Sequence, residues 1–484
     1  MATLVRALRR SRLPEACGGV HQLRSISIAA GNKVITSSGT ELHPVWLRER
    51  CSSPASVQWE TVQPLHQPHE IADGLEIVEA KLRNAGGGRA SQLQVLFSDG
   101  HNSIFDGDAL EAEAEDFSSC GIQQEDIRFP KPRLWDNITG AVVPRVQYAT
   151  IAAGKAEDML HMTTTLLREG QVVVEGVPCN DRELVKFAHL VNGFKGGAVV
   201  RPTNWGDVFN VRSVPDGANK DLAYTNAALC PHVDNPYRNP NPGFQLLHVL
   251  ENECSTGLSL AVDGFAVAAR LKEENPEYYD ILTNVDCRWE NDGGDRSTAL
   301  VHFAPYISIN QATGEVLQVR YSPKSGGYAP ALKNSAQMET FYAARRRLAE
   351  LLNCPSHRVN FRLNAGDLWL FNNLRVLHGR SEFDPTEGRR FFQGGYIDMD
   401  GVTSAYFRAK YAVASLRQSA YASPAKEDLL QRTLSTTNDA TADHPPAECQ
   451  WSVGGDAAKL SWLHGTVADV SKLQDVTSAR PPAA

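Results

Sequence analysis

His232, Asp234 and His378 combine two imidazoles with one carboxylate. They lie in strand-like sequence, in Pro231-His232-Val233-Asp234-Asn235-Pro236 and Leu374-Arg375-Val376-Leu377-His378-Gly379-Arg380. Two neutral nitrogens and one anionic oxygen hold a divalent iron on one face and leave the opposite positions open for a co-substrate and dioxygen. A His-x-Asp pair by itself is more often a turn or a satisfied polar contact than a metal site. The surrounding sequence adds weight. Twelve residues beyond His378, in Gly388-Arg389-Arg390-Phe391-Phe392, an arginine falls where an apolar run resumes. A guanidinium on a buried strand needs an anionic partner, and its fork of donors suits a carboxylate. Metal plus buried arginine describes a site for 2-oxoglutarate, chelated to iron at one end and gripped by arginine at the other.

The elements that must position these residues are drawn from a chain of 484 residues, long enough for a sizeable core and more than one domain. It is 42% hydrophobic and 21% charged, an ordinary globular mix. The net charge is −8 and no basic block occurs outside the extreme N-terminus, which argues against nucleic acid or an anionic membrane surface as the main partner. No apolar stretch approaches bilayer-spanning length. Nine scattered cysteines, with no Cys-x-x-Cys pair, suit a reducing compartment with free thiols, and no structural disulfide is expected. The first thirty or so residues carry Arg6, Arg9, Arg10, Arg12 and Arg24 against the single acid Glu15, among Leu, Val, Ala and Ser. That is the composition of a mitochondrial presequence.

Residues 31–130 read as a small β-rich N-terminal domain. Lys33-Val-Ile-Thr-Ser, Leu75-Glu-Ile-Val-Glu-Ala and Leu93-Gln-Val-Leu-Phe97 alternate apolar and polar positions, with turn signals at Gly86-Gly87-Gly88 and Ser98-Asp99-Gly100. Pro130-Lys-Pro132 and Leu134-Trp135-Asp136 read as a linker. A main domain follows over 134–415. Gln171–Val174, Phe244–Leu250, Leu258–Val262, Tyr306–Ile309, Val316–Arg320, Val359–Arg362 and Asp367–Phe371 are expected strands, Asp263 is placed to cap a helix over Gly264–Glu274, and Ala336–Leu352 is the clear amphipathic helix. Many short strands and few crossover helices predict a mainly β fold with flanking helices, a closed or jelly-roll double sheet. From residue 416 periodicity fades into a polar, Pro-rich tail expected to be mostly disordered.

Several ordered motifs resemble the family of γ-butyrobetaine dioxygenase and its sister trimethyllysine dioxygenase, over roughly residues 30–412. They are His232-Val-Asp-Asn-Pro-Tyr-Arg238, Pro242-Gly-Phe-Gln-Leu-Leu-His248, Val262-Asp-Gly-Phe265, Asn373-Leu-Arg-Val-Leu-His-Gly-Arg380 and Arg390-Phe-Phe-Gln-Gly-Gly-Tyr396. The resemblance implies a double-stranded β-helix catalytic domain with His232, Asp234 and His378 as iron(II) ligands. It places Arg390 on the distal carboxylate of 2-oxoglutarate, helped by Ser259. Arg389 competes for that role, because strand alternation sends the two arginines to opposite faces; spacing to Tyr396 favours Arg390. The resemblance also implies dioxygen as co-substrate, ascorbate as a support for activity, and a homodimer as an assembly consistent with the family.

On the substrate side it places Trp205, Phe209, Tyr224 and Tyr396 at the positions of an aromatic cage. Such a cage holds a quaternary ammonium by ring faces, because that cation has no hydrogen to donate. Two departures bear on which substrate is bound. Asp221 stands where γ-butyrobetaine dioxygenases often carry an Asn facing the substrate carboxylate, and an anion there suits an amino-acid ammonium instead. Arg320-Tyr321-Ser322-Pro323 lacks the paired Asn of several relatives. In the N-terminal domain Cys51 and His101 stand where relatives can carry a zinc cluster, but one thiol and one imidazole cannot close a tetrahedral shell, so no structural zinc is expected. The expected activity is hydroxylation of a small trimethylammonium compound, γ-butyrobetaine to carnitine, with trimethyllysine as the alternative and a catalytically dead binding module as the remote one. Asp234 itself argues against a halogenase, in which that carboxylate is missing.

Overall fold

A continuous apolar run marks a strand buried on both faces, and Leu368-Trp-Leu-Phe-Asn372 is the clearest one in the chain. Leu368 and Leu370 point into a cluster with Leu166, Phe187 and Leu246. Trp369 and Phe371 point the other way, toward Val249, Ala261, Val359 and Phe392. The computed structural model describes residues 26–58, 61, 63–84, 91–115, 129–192, 199–212, 225–293 and 298–420, in two compact units divided between Arg128 and Phe129. Residues 1–25 of the expected presequence, the Gly86-Gly87-Gly88 turn, Asp221, Tyr224 and the tail beyond Ala420 lie outside the described residues, whereas Ile26 is buried and Ser27–Ala29 pairs with Lys33–Ile35, so the folded chain begins before residue 31.

In the larger unit ten strands form two sheets. They are β1 (Arg145–Gln147), β2 (Gln171–Glu175), β3 (Val208–Arg212), β4 (Leu229–His232), β5 (Phe244–Asn252), β6 (Ser259–Asp263), β7 (Arg358–Phe361), β8 (Leu368–Asn372), β9 (Val376–Arg380) and β10 (Arg390–Ile397). The six-stranded sheet runs β3-β10-β5-β8-β2-β1 and the four-stranded sheet runs β4-β9-β6-β7. Every pairing is antiparallel except β1 with β2. Side chains of both sheets meet in the cluster of Val249, Ala261, Val359, Trp369, Phe371, Val376 and Phe392. This is the expected double-stranded β-helix, with two sheets sharing one inner layer.

Besides the short helix Tyr148–Ala152, six helices lie among the described residues of the larger unit: α1 (Ala156–Glu169), α2 (Glu183–Val191), α3 (Gly264–Glu274), α4 (Pro276–Asn284), α5 (Ser335–Asn353) and α6 (Met399–Ala420). Met162 and Leu166 of α1, Phe187 and Val191 of α2 and Val402 of α6 cover the outer face of the larger sheet. Sequence periodicity anticipates α3 and α5 but not α1, α2 or α6, and α6 runs past residue 415 to Ala420. Asp263 caps α3 as expected, its carboxylate accepting from the Phe265 amide at 3.1 Å. The same carboxylate accepts from the Arg375 guanidinium at 3.0 and 2.7 Å and from the Trp135 amide at 3.1 Å, all buried. Trp135 is thus part of the packed unit rather than of a linker.

The smaller unit holds an antiparallel sheet of Ile77–Asn84, Ser91–Phe97 and Asn102–Asp106. Leu93, Val95 and Phe97, spaced two apart, are all buried in its core. Cys51 and His101 meet there, Sγ to Nε2 at 3.1 Å, together with the hydroxyls of Ser53 and Ser56. Burial alone would raise the Cys51 pKa, but these hydrogen bonds, His101 first, bring it down to about 6. Cys51, Cys179, Cys230, Cys254, Cys287 and Cys354 are free thiols.

Candidate metal centre

Antiparallel pairing of β4 with β9 makes His232 and His378 direct cross-strand partners. Their ring centroids are 4.4 Å apart. Gly379 permits the approach, since a β-carbon there would stand 2.5 Å from the Leu229 carbonyl oxygen. Asp234, just past the end of β4, turns back toward both rings, with Oδ1 3.5 Å from His232 Nε2 and Oδ2 3.6 Å from His378 Nε2. One donor atom from each of the three lies within 4.8 Å of the others, the one such cluster of three or more among the described residues.

Neighbouring groups aim these donors. His232 Nδ1 lies 2.9 Å from the Cys230 carbonyl, and donating there leaves the Nε2 lone pair facing inward. The Asp234 amide donates to Asn373 Oδ1, and Asn373 Nδ2 donates back to the Asp234 carbonyl, both at 2.9 Å. Tyr396 donates its hydroxyl to Asp234 Oδ2 at 2.7 Å. Burial would raise the Asp234 pKa, but His378, His232 and the Tyr396 hydroxyl hold it well below the usual carboxylate range. Burial, with His232 alongside, pushes His378 down to about 3. At neutral pH the cluster therefore sets a neutral His378 imidazole and an ionised carboxylate beside the His232 ring, and two imidazoles with one carboxylate are the donor set that a divalent iron takes.

Strand alternation separates the two arginines. Arg389 points outward, its side chain 74% exposed and paired with Glu251 and Glu253. Arg390 is buried on the same face of β10 as Phe392 and Tyr396. It stacks 3.9 Å over Phe392, and its Nε has no hydrogen-bond partner. Burial and the neighbouring Arg380 push its pKa down to about 9. Ser259, also buried, is the cross-strand partner of Arg380. Arg380 donates to the Thr225 and Ala227 carbonyls at 2.6 and 2.8 Å. Both guanidiniums face the Phe383 ring, at 4.8 and 5.3 Å. Two buried cations this close call for an anion between them.

Of the expected cage residues, Phe209 and Tyr396 come together, stacked at 5.5 Å. Trp205 is 38% exposed and lies under the ammonium of Lys324 at 5.1 Å. Sequence reading missed Asn373 as the clamp of Asp234 and the bond from Tyr396 to the carboxylate; both need the fold, because the partners are 139 and 162 residues apart.

The family model for the taurine catabolism dioxygenase TauD, TfdA family matches residues 134–396. γ-Butyrobetaine dioxygenase of Pseudomonas sp. (strain AK-1) is 30% identical, over 78% of this chain and 93% of its own length. Trimethyllysine dioxygenase of Neurospora crassa is 27% identical over 78% of this chain and 85% of its own. The mitochondrial trimethyllysine dioxygenase of Rattus norvegicus is 28% identical over 74% and 80%. With two imidazoles and a carboxylate converging inside a double-stranded β-helix, and with these similarities, the chain belongs to the TauD/TfdA family of dioxygenases.

Proposed function

We propose that this protein is an iron(II)- and 2-oxoglutarate-dependent hydroxylase of a small trimethylammonium compound, γ-butyrobetaine, with carnitine as product. The observation that carries the reading is the convergence on one inner layer of His232, Asp234 and His378 with the buried, unpaired Arg390. His232, Asp234 and His378 would hold the iron, and Arg390 with Ser259 would take the distal carboxylate of 2-oxoglutarate. The bound metal, keto acid and dioxygen supply the oxidative chemistry. The protein's share is orientation and exclusion of water. Cys230 and Asn373 fix the direction of two ligands, Phe371 packs against His378 at 5.0 Å, and Phe209 and Tyr396 offer ring surface to the quaternary ammonium.

Trimethyllysine is the second substrate to weigh, favoured by Asp221 and by the arginine-rich N-terminus, which we read as a mitochondrial address. Succinate release with γ-butyrobetaine against trimethyllysine separates the two. Faster coupled turnover of trimethyllysine would exchange them. Substrate-independent succinate formation that persists in Asp234→Ala would remove the metal assignment.

A further inference from the structure

Helix α5 presents two unlike faces. Phe341, Ala344 and Leu348 pack with Val262 of β6 and Leu377 of β9. Ala261 and Val376, the neighbours of those two strand residues, belong to the inner layer, so α5 covers the outer face of the smaller sheet. The adjoining face of the helix carries Tyr342, Arg345, Arg346 and Ala349, spaced three, one and three residues apart, and opens on a cavity of about 400 Å³. Tyr306, Tyr321, Ser322, Pro323 and Gly326 complete its lining.

The charge of this lining has one sign. Arg345 is half-buried and Arg346 exposed, and neither has a hydrogen bond or an ion pair among the described residues. No carboxylate lines the cavity among the described residues either. The next arginine of the same helix shows the usual outcome where acids are within reach. Arg347 donates to Glu274 at 2.8 Å and to Glu350 at 3.1 Å. In a chain of net charge −8, two neighbouring guanidiniums left without an acid make a local field that draws anions.

Other polar groups of the lining are already engaged. Tyr306 donates its hydroxyl to the Gly327 carbonyl at 3.1 Å, and Ser322 Oγ donates to Ser325 Oγ at 3.3 Å. What the cavity offers a ligand is therefore two cationic forks beside the rings of Tyr306, Tyr321 and Tyr342. A guanidinium fork matches an oxyanion, and ring surface matches a flat apolar body. The volume is that of a small-molecule site.

We propose that this cavity is a second binding site, for a small ligand that carries an oxyanion on a flat ring, with Arg345 and Arg346 as its anion-binding residues. It is separate from the place of Arg390, which lies buried on β10 in the other sheet.

The test is calorimetric titration of the full-length protein with phenyl phosphate. Arg345→Met and Arg346→Met should each weaken binding about 10-fold, the cost of one hydrogen bond to a charged group, and the double variant should abolish it, with circular dichroism matching the parent. Arg347→Met, whose guanidinium is held by glutamates, and Arg390→Met should bind as the parent does. Inorganic phosphate, which leaves the rings unused, should bind about 3-fold more weakly than phenyl phosphate. Absence of binding by the parent, or equal binding by the parent and a folded double variant, overturns the site. Loss of binding in Arg390→Met would put the probe in the iron chamber and overturns it as well. Equal affinity for inorganic phosphate overturns the flat ring as part of what is recognised.

Discussion

Asp234 serves two masters at the residue scale: one oxygen faces His232, while the other faces His378 and accepts from Tyr396. Its backbone is gripped at both ends by a single amide side chain, Asn373, which is fully buried. Asn373→Ala removes both bonds without touching a metal donor. Iron(II) affinity should fall about 10–100-fold, the usual cost of losing a group that orients a ligand, with the fold retained. Equilibrium binding of iron(II) checks this, and unchanged affinity would mean that the carboxylate is aimed by other contacts. Arg390 is judged by a different measurement. Its guanidinium is buried without an ion-pair partner among the described residues, so Arg390→Met should raise KM for 2-oxoglutarate about 100-fold, the cost of truncating one side of a buried charge pair. The same substitution at the surface-paired Arg389 should change it little. An equal effect at both positions would sink the assignment.

At the scale of elements, β5 runs between β10 and β8 in the larger sheet. Gln245 pairs with Tyr396 on β10, and His248, three residues on, is fully buried opposite Gln393. Burial pushes the His248 pKa down to about 4. A neutral imidazole is thus what the folded sheet accommodates, while the unfolded chain takes up a proton near pH 6.5. Because the folded pKa lies below the unfolded one, stability is full above pH 6.5 and is lost as pH falls from 6.5 toward 4, by on the order of 3 kcal/mol. Urea denaturation of parent and His248→Leu at pH 7.5 and 5 tests this, with the parent expected to lose more stability over that interval. Equal losses in the two proteins would assign the acid sensitivity elsewhere.

For the whole molecule, the larger unit contains every described residue of the candidate site, including the three candidate metal donors His232, Asp234 and His378. No helix among the described residues is long and apolar enough to cross a membrane. The arginine-rich N-terminus is accordingly read as an address independent of catalysis. Residues 1–30 fused to a fluorescent protein should carry it into mitochondria, and replacing the five arginines with glutamine should leave it outside. A fusion that stays cytosolic with its arginines intact would remove this reading.

The sequence by itself determined the chemistry and the periods. Donor types at His232, Asp234 and His378 and the apolar runs of Phe244–Leu250 and Asp367–Phe371 are local properties, legible because a strand buried on both faces reads as a near-continuous apolar stretch and a metal accepts few side-chain types. The cap at Asp263 was equally readable, since the acid and the helix it starts are adjacent. Helices α1, α2 and α6 were less legible. The faces of α1 and α2 are apolar only where they cover the larger sheet, and α6 lies where chain composition turns polar. Spacing to Tyr396 favoured Arg390 over Arg389, and the tertiary structure turned Arg390 inward; the alternation that separates the two does not by itself say which side is the core. Tertiary structure alone decided that Tyr396 bonds to a ligand carboxylate, that Asn373 clamps the loop, and that Lys324 stands on Trp205. Each of these joins positions distant in the chain, and only the registers of paired strands and the closure of turns on the same rim bring them within reach.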